Sequence, residues 1–333
     1  TYDCIRASVQ ATDAEMSSFS VENGDILFQR SSETLEDVGR ANVYIDDKVA
    51  VFGGFVIRGK KKANYNPLFF RYLLSSPYAR KRIIPMGAGA QHFNIGQEGL
   101  SKVLLNFPSI GEQTKIASLL HLLDERIATQ SKLIEKLESL IKGIVDCTIL
   151  RKEKNAIVGD VCSISEQIRA EANIDDIITV RLHGNGVCKS SAENLQLGAT
   201  QYYRRRAGQL IYGKQNFHNG AIGIVPISLD NGITSKDIPS FDIDEMKCNS
   251  VYLLAQLQSP QYYKPAEALT TGTGSKRLKE ETFLKMPIVL PNKSEQDNIS
   301  VLIHRASMNL DHAKRLLELL SIQKQFLLRQ MFI

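Results

Sequence analysis

A single apolar periodicity, running from Phe107 to Leu150, limits what this chain can fold into. Ile116, Leu120, Leu123, Ile127, Ile134, Leu137, Ile141 and Ile144 follow one another at steps of about three and four, with one gap at Gln130. That spacing makes the seam of a coiled-coil helix. Pro108 and Gly111 bound it on the N-terminal side, and Glu112 sits in the first turn, where a negative charge is favourable. From Glu112 to Ile149 such a helix spans about 55 Å at 1.5 Å per residue, longer than most globular helices. A helix of this length in mid-chain separates two bodies.

The second body repeats the first. Gly208 to Tyr212 (GQLIY) parallels Gly24 to Phe28 (GDILF), the predicted helix Asn249 to Ser259 parallels Leu68 to Ser76, and Ser259-Pro260 matches Ser76-Pro77. The loop Gly272-Thr273-Gly274-Ser275-Lys276 parallels Gly87 to His92. A second long helix, Ser294 to Phe332, superposes on the first without a gap: Glu295-Gln296 on Glu112-Gln113, Ile299 on Ile116, Ile303 on Leu120, Leu310 on Ile127, Leu317 on Ile134 and Leu320 on Leu137. A period this long, about 183 residues, means tandem duplication and not a solenoid. Within the first body, Tyr2–Val9, Ile26–Phe28, Val43–Ile45, Val49–Phe52, Phe55–Ile57 and Val103–Phe107 read as strands. Pro67–Ser75 and Tyr78–Ile84 read as helices. The repeat register starts the second body about 25 residues before any counterpart in the first, so the first is expected to be incomplete at its N-terminus.

Composition narrows the function classes. Of the net charge of +5, residues 1–108 and 151–290 each carry only +2, which permits an anionic partner without demanding one. No apolar run of about 18 residues suggests a membrane span and nothing resembles a signal peptide, so a soluble protein is expected, and scattered cysteines read as reduced thiols point to a cytoplasmic location. The five cysteines are scattered, with no CxxC pair or histidine cluster, so neither a disulfide framework nor a zinc site is indicated. The two glycine loops are neither GxGxxG nor a P-loop, and Asn66-Pro67-Leu68-Phe69 lacks the second proline of a methyltransferase catalytic loop. The six histidines do not recur at matched positions. No catalytic centre is visible.

Polar and basic stretches on loops after buried strands are the candidates for nucleic-acid contact. In the first body they are Gln29, Arg30, Ser31 and Ser32; Arg58, Lys60 and Lys61; and Gln91, His92 and Asn94. In the second they are Arg204 and Arg205; Lys214, Gln215 and Asn216; and Lys276, Arg277 and Lys279. Arg and Lys neutralise phosphates, while Gln, Asn and Arg read base edges through paired hydrogen bonds. Taken singly, each run is as well explained by a solvated face. Two bodies with several runs at equivalent loops favour binding.

In this order and duplicated, these motifs resemble the DNA-specificity subunit of a type I restriction–modification system. The residues carrying the resemblance are Gly24-Asp25-Ile26-Leu27, Ser76-Pro77, Gly89-x-Gln91 and Pro108-x-x-x-Glu112-Gln113-x-x-Ile116-x-x-Leu119-x-x-Leu122-Leu123-Asp124-x-x-Ile127. Weaker echoes are Gly208, Ser259-Pro260, Gly274-Ser275-Lys276 and Pro291-x-x-x-Glu295-Gln296; Gly208-Gln209 replaces Gly-Asp, and Ser307 stands where Asp124 would repeat.

The resemblance implies two α/β (mixed α+β) target-recognition domains in tandem, each followed by a long helix, the helices forming an antiparallel coiled coil. On this chain the domains would be residues 1–108 and 151–291, and the spacer helices 109–150 and 292–333. The seam would hold Ile116, Leu120, Leu123, Ile127, Ile134, Leu137, Ile299, Ile303, Leu310, Leu317 and Leu320. The resemblance also implies a non-catalytic subunit reading bipartite double-stranded DNA. Its partners would be modification (methyltransferase) subunits, two of them, and restriction subunits. S-adenosylmethionine, ATP and Mg2+ would belong to those partners, with no cofactor and no metal in this chain. Alternatives are a coiled-coil protein-interaction module and a relative fused functionally to a stand-alone DNA methyltransferase.

Overall fold

The computed structural model describes residues 1–190, 200–272 and 276–332. It is a mixed α+β chain with two long helices, the central helix Ile110–Val145 and the terminal helix Lys293–Gln330. The central helix continues as a short π-helical turn, Asp146–Leu150. Contacts divide the chain into two compact units: unit 1 is Thr1–Lys132 with Ala313–Ile333, and unit 2 is Leu133–His312. The division falls inside both helices, so each unit holds one end of each.

In unit 1 the helices run antiparallel. Leu120, Leu123 and Leu320 are buried along the seam, and Ile116 packs in the cluster that contains Phe332. Burying a leucine stabilises by about 1.5–3 kcal/mol, so a few such layers hold the pair. Gln130, at the gap in the apolar pattern, donates its amide to the Ala313 carbonyl (3.0 Å). The small Ala313 side chain, itself buried, leaves room for that approach. In unit 2, Ile299 and Ile303 of the terminal helix share a core with Val145 of the central helix.

Each globule has the same antiparallel sheet. In unit 1 the strand order is Ala41–Val43, Ile26–Gln29, Val56–Gly59; in unit 2 it is Ile222–Ile224, Leu210–Tyr212, Ser240–Ile243, with Cys162–Ile164 added at the edge. A second ladder also repeats, Ser20–Val21 with Ala50–Val51 and Tyr202–Arg204 with Ile233–Ser235. Pro67–Ser75 and Pro77–Ile83 form adjoining helices as expected, each opened by proline at a first-turn position where no N–H is needed.

Two predicted strands are not formed. Tyr2–Cys4 is a 3-10 turn followed by exposed coil, because no neighbouring strand of the described residues pairs with it. Val103–Phe107 stays outside any ladder, and Leu104 is 81% exposed. An apolar run becomes a strand only where a second strand supplies its hydrogen bonds.

One buried amide ties each globule to its long helix. Gln113 is 3% exposed; its Oε1 accepts from the Asn66 backbone N–H (3.0 Å) and its Nε2 donates to the Pro108 carbonyl (2.9 Å). Asn66 in turn caps the helix Pro67–Ser75, its Oδ1 accepting from the Phe69 N–H. Gln296 repeats every part: it accepts from the Asn249 N–H (2.9 Å) and donates to the Pro291 carbonyl (2.9 Å), while Asn249 caps Ser250–Leu257. Replacing Gln296 by alanine leaves the half-buried Asn249 N–H and Pro291 carbonyl without that partner. We expect unit 2 to lose about 2 kcal/mol, read as a lowered urea midpoint for tyrosine fluorescence, with Gln113→Ala acting likewise on unit 1.

Candidate nucleic-acid interface

The half-buried strand Ile26–Gln29 of unit 1 passes outward into Ser31–Ser32, which pairs antiparallel with Phe93–Asn94. This ladder sets Ser31 against Asn94, and the serine hydroxyl donates to Asn94 Oδ1. Phe93 packs on the core, while Arg30 presents its carbonyl to the Ile95 N–H (2.9 Å). The loop between Gly87 and Asn94 closes through paired backbone bonds between Ala88 and Asn94. It turns at Gly89, where φ is +143° and a Cβ would lie 2.0 Å from the His92 carbonyl oxygen, so only glycine fits. Seven candidates are thereby gathered on one edge: Gln29, Arg30, Ser31, Ser32, Gln91, His92 and Asn94. Gln29, Arg30, Gln91, His92 and Asn94 are exposed. Amides, hydroxyls and one guanidinium side by side are the groups that can pair with base edges.

Arg58, Lys60 and Lys61 lie elsewhere. The register pairs Gln29 with Val56 and Ile26 with Gly59, so the basic run is at the far end of the strand, about 10 Å away. Arg58 there serves the fold. Its Nε donates to Asp25 Oδ2 (2.7 Å), and Asp25, fully buried, also accepts from the backbone N–H groups of Glu22 (2.9 Å) and Lys61 (3.0 Å). Burial alone would raise the Asp25 pKa; those N–H donors and the Arg58 cation outweigh it and hold the carboxyl below its ordinary value. Lys60 pairs with Glu22 at 3.5 Å, and the Lys61 ammonium lies over the Tyr65 ring.

In unit 2 the glycine-turn motif keeps its shape with a different side chain. Gly24 and Gly208 both have left-handed φ, +94° and +85°. Gln209 Oε1 accepts from the Arg206 N–H (2.9 Å), as Asp25 does from that of Glu22. The amide also has a donor end, which points at an acid, Asp242 (2.8 Å), where the carboxylate needed an arginine. The departure from Gly-Asp is thus matched by its partner.

The other unit 2 candidates separate into two groups. Lys214, Gln215 and Asn216 lie beside Lys276, Arg277 and Lys279, because the Leu278 N–H donates to the Lys214 carbonyl (2.9 Å). Several of these cations have acidic neighbours: Lys214 with Glu280 (2.7 Å), Arg277 with Asp237 (3.2 Å) and Lys276 with Glu267 (3.5 Å). Arg204, on the strand Tyr202–Arg204, is exposed and apart from them.

Arg205 requires correction. Its side chain is fully buried, donating from Nε to Thr234 Oγ1 (2.7 Å), from Nη1 to Ser240 Oγ (2.9 Å) and from Nη2 to the Ile238 carbonyl (3.0 Å). Side chains alternate faces where the strand ends, so of the run Arg204-Arg205 the first faces water and the second joins two sheets. Burial lowers its pKa to about 10, which still leaves it charged at neutral pH. Gly274 and Ser275 lie outside the described residues.

Sequence reasoning missed the turn Leu182–Gly186. His183 has φ +59°, uncommon for a non-glycine residue. Its N–H donates to the Asn219 carbonyl (2.8 Å) and that of Gly184 to Gly220 (2.9 Å), placing exposed His183 and Asn185 against the 214–220 loop. The string His-Gly-Asn-Gly after a strand was the available signal. The cysteines are all free, and burial pushes the Cys162 and Cys248 thiols up to about 12, away from nucleophilic reactivity. Among the described residues no group of His, Cys, Asp or Glu could hold a metal ion, and no helix is long and apolar enough to cross a membrane.

The Asp25 network has a pH signature. A carboxyl held below its unfolded value of about 3.9 contributes stability above that value and loses it as pH falls through the folded one. Asp25→Asn should therefore cost about 3 kcal/mol at pH 7 by removing the nearer carboxylate from half-buried Arg58, which keeps only Glu22 at 3.4 Å. The variant should also show a shallower loss of melting temperature below pH 4 than the parent, measured by thermal scans across pH 2.5–7.

Residues 3–139 match the family described as Type I restriction modification DNA specificity domain. No curated protein sequence matches the chain. Among solved structures, the crystal structure of a type I restriction-modification system S subunit from M. genitalium is similar over 95% of this chain and 84% of its own, with TM-score 0.61 and 15% identity. That of the HsdS subunit from Thermoanaerobacter tengcongensis covers 92% and 80%, with TM-score 0.47 and 15% identity. Residues 3–139 thus carry a match to the type I restriction modification DNA specificity domain family, and the chain as a whole shares the fold of the S subunit from M. genitalium.

Proposed function

We propose that the chain is the non-catalytic sequence-specificity subunit of a type I restriction–modification complex. Each unit reads one half of a bipartite duplex target, and the helix pair sets the half-site spacing and docks modification subunits. S-adenosylmethionine enters with those subunits, ATP and Mg2+ with restriction subunits. In unit 1 the reading edge is the Gln29–Ser32 and Gln91–Asn94 ladder; in unit 2 it is the Lys214–Asn216 loop with Lys276, Arg277 and Lys279. Arg58, Lys60, Lys61 and Arg204 contribute at most charge to the phosphates.

Duplication of the exposed apolar surface carries this reading. Unit 1 leaves Leu119 and Leu316 40–46% exposed, on the rim of a groove of 560 Å³ floored by Leu123 and Leu320. Unit 2 leaves their repeat equivalents, Leu302 and Leu133, 44–52% exposed. Each unit thus has one matching patch, which suits two copies of one partner. Leucines lying this open on a long helix are otherwise a liability in water.

Leu119→Asp with Leu316→Asp should weaken binding of one of two modification subunits about 100-fold while the melting temperature holds, as measured by titration and native mass spectrometry. Loss of neither subunit would count against the docking role. Removing one heptad from each long helix shortens the pair by about 10 Å, about three base pairs of duplex. Maps of methylated bases in cells expressing the chain with its partner subunits should show an unread gap shortened by that amount, with both half-sites intact.

A further inference from the structure

The two docking faces share their rim leucines and little else. Leu119 and Leu316 of unit 1 recur as Leu302 and Leu133 of unit 2, but the positions around them have diverged. On the terminal helix of unit 1, Leu319, Ile322 and Phe326 follow Leu316 at spacings that keep them on one face, with the neutral Gln323 alone among them. All three are 54–59% exposed. On the central helix Leu122 is as open and lines the same groove as Leu119 and Leu316. The repeat counterparts of Leu122, Leu319, Ile322 and Phe326, 183 positions away, are Arg305, Lys136, Ser139 and Gly143.

Unit 2 has exposed apolar side chains of its own, Leu140, Val301 and Met308, but charge divides them. Lys136 stands between Leu133 and Leu140 at steps of three and four, and Arg305 between Val301 and Met308 at steps of four and three. Both cations are exposed. The apolar face of unit 1 is therefore continuous where that of unit 2 is interrupted. Neither face is one that its globule covers, since Lys136 and Ser139 are open in unit 2 just as Leu319 and Ile322 are in unit 1.

We propose that unit 1 is the tighter docking site for a modification subunit and is filled first, with unit 2 filled second and more weakly. This rests on the docking role proposed above, in which one kind of partner occupies both units. A single partner surface must then meet two different faces. Large apolar side chains contiguous with the groove of unit 1 call for an apolar counter-surface. Set on unit 2, that same surface takes Arg305 and Lys136 out of water without an acid opposite them, which opposes binding. Phe326 also gives unit 1 an aromatic anchor, whereas its counterpart Gly143 has no side chain to offer. Assembly passes through a species with one modification subunit, seated on unit 1.

The test titrates this chain with the modification subunit and follows the species by native mass spectrometry. The two stepwise dissociation constants should differ by at least about tenfold. Amide hydrogen exchange of the one-to-one species should show protection at residues 316–326 and none at 133–143. Arg305→Leu with Lys136→Leu gives unit 2 the unit 1 pattern and should tighten the second step by about tenfold. Leu122→Arg with Leu319→Lys should weaken the first step by a similar factor. Equal constants in the parent, first protection at 133–143, or a second step unmoved by replacing Arg305 and Lys136 would overturn the proposal while leaving the docking role intact. Absence of any binding would remove the docking role and the proposal with it. Protection of 316–326 that grows with the concentration of the chain alone would also overturn it, because the occupant would then be a second copy of the chain.

Discussion

The buried amide of Gln113, and its copy Gln296, is the contact on which the arrangement of each unit rests. A glutamine side chain holds an acceptor oxygen and a donor nitrogen at a fixed distance. Here the acceptor takes the N–H of an asparagine that caps the globule's helix, and the donor takes the carbonyl of the proline that precedes the long helix. Three things are joined by one side chain: the start of the long helix, the chain entering it, and the packing helix of the globule. An apolar residue in its place could fill the space but would leave both backbone groups unsatisfied. Two long helices with heptad seams would still pair without it, but the globule would lose the one contact that joins its cap, the entering chain and the helix start at a single point.

Around that shared frame the two copies have diverged in coupled steps. Asp25 pairs with Arg58, whereas Gln209 at the matching turn pairs with Asp242. Asp124 accepts from the Tyr72 hydroxyl (2.8 Å) and pairs with Lys324 (2.5 Å); at the repeat positions stand Ser307, Ala255 and Ile141, and that clamp is confined to unit 1. A buried charge persists only with its partner, so a change at one position is tolerated when the second changes too. The polar edges carry no such restraint, and there the two units have little in common.

Much of the architecture was legible in the chain. The heptad seam, the duplication, the helix bounds near Pro67 and Pro77, and the strand after Gly24-Asp25 all follow from local signals: periodicity, proline at a first turn, glycine in a left-handed turn. The Gln130 gap also had meaning, since a long polar side chain on a seam finds a backbone carbonyl opposite a small residue. Candidate contacts were legible only as types. Of the two arginines at 204 and 205, one faces water and the other is enclosed, and no residue count along the chain distinguishes them.

Taken alone, the order of residues determined that there are two bodies, two long amphipathic helices and a set of polar loops, because each of these depends on neighbours within a few positions or on a repeat of whole segments. Tertiary structure decided the rest: which cations are spent on buried partners, as Arg58 and Arg205 are, and which loops share an edge. Those outcomes depend on contacts between residues far apart in the chain, where desolvation and hydrogen-bond geometry, not local propensity, select what a side chain does.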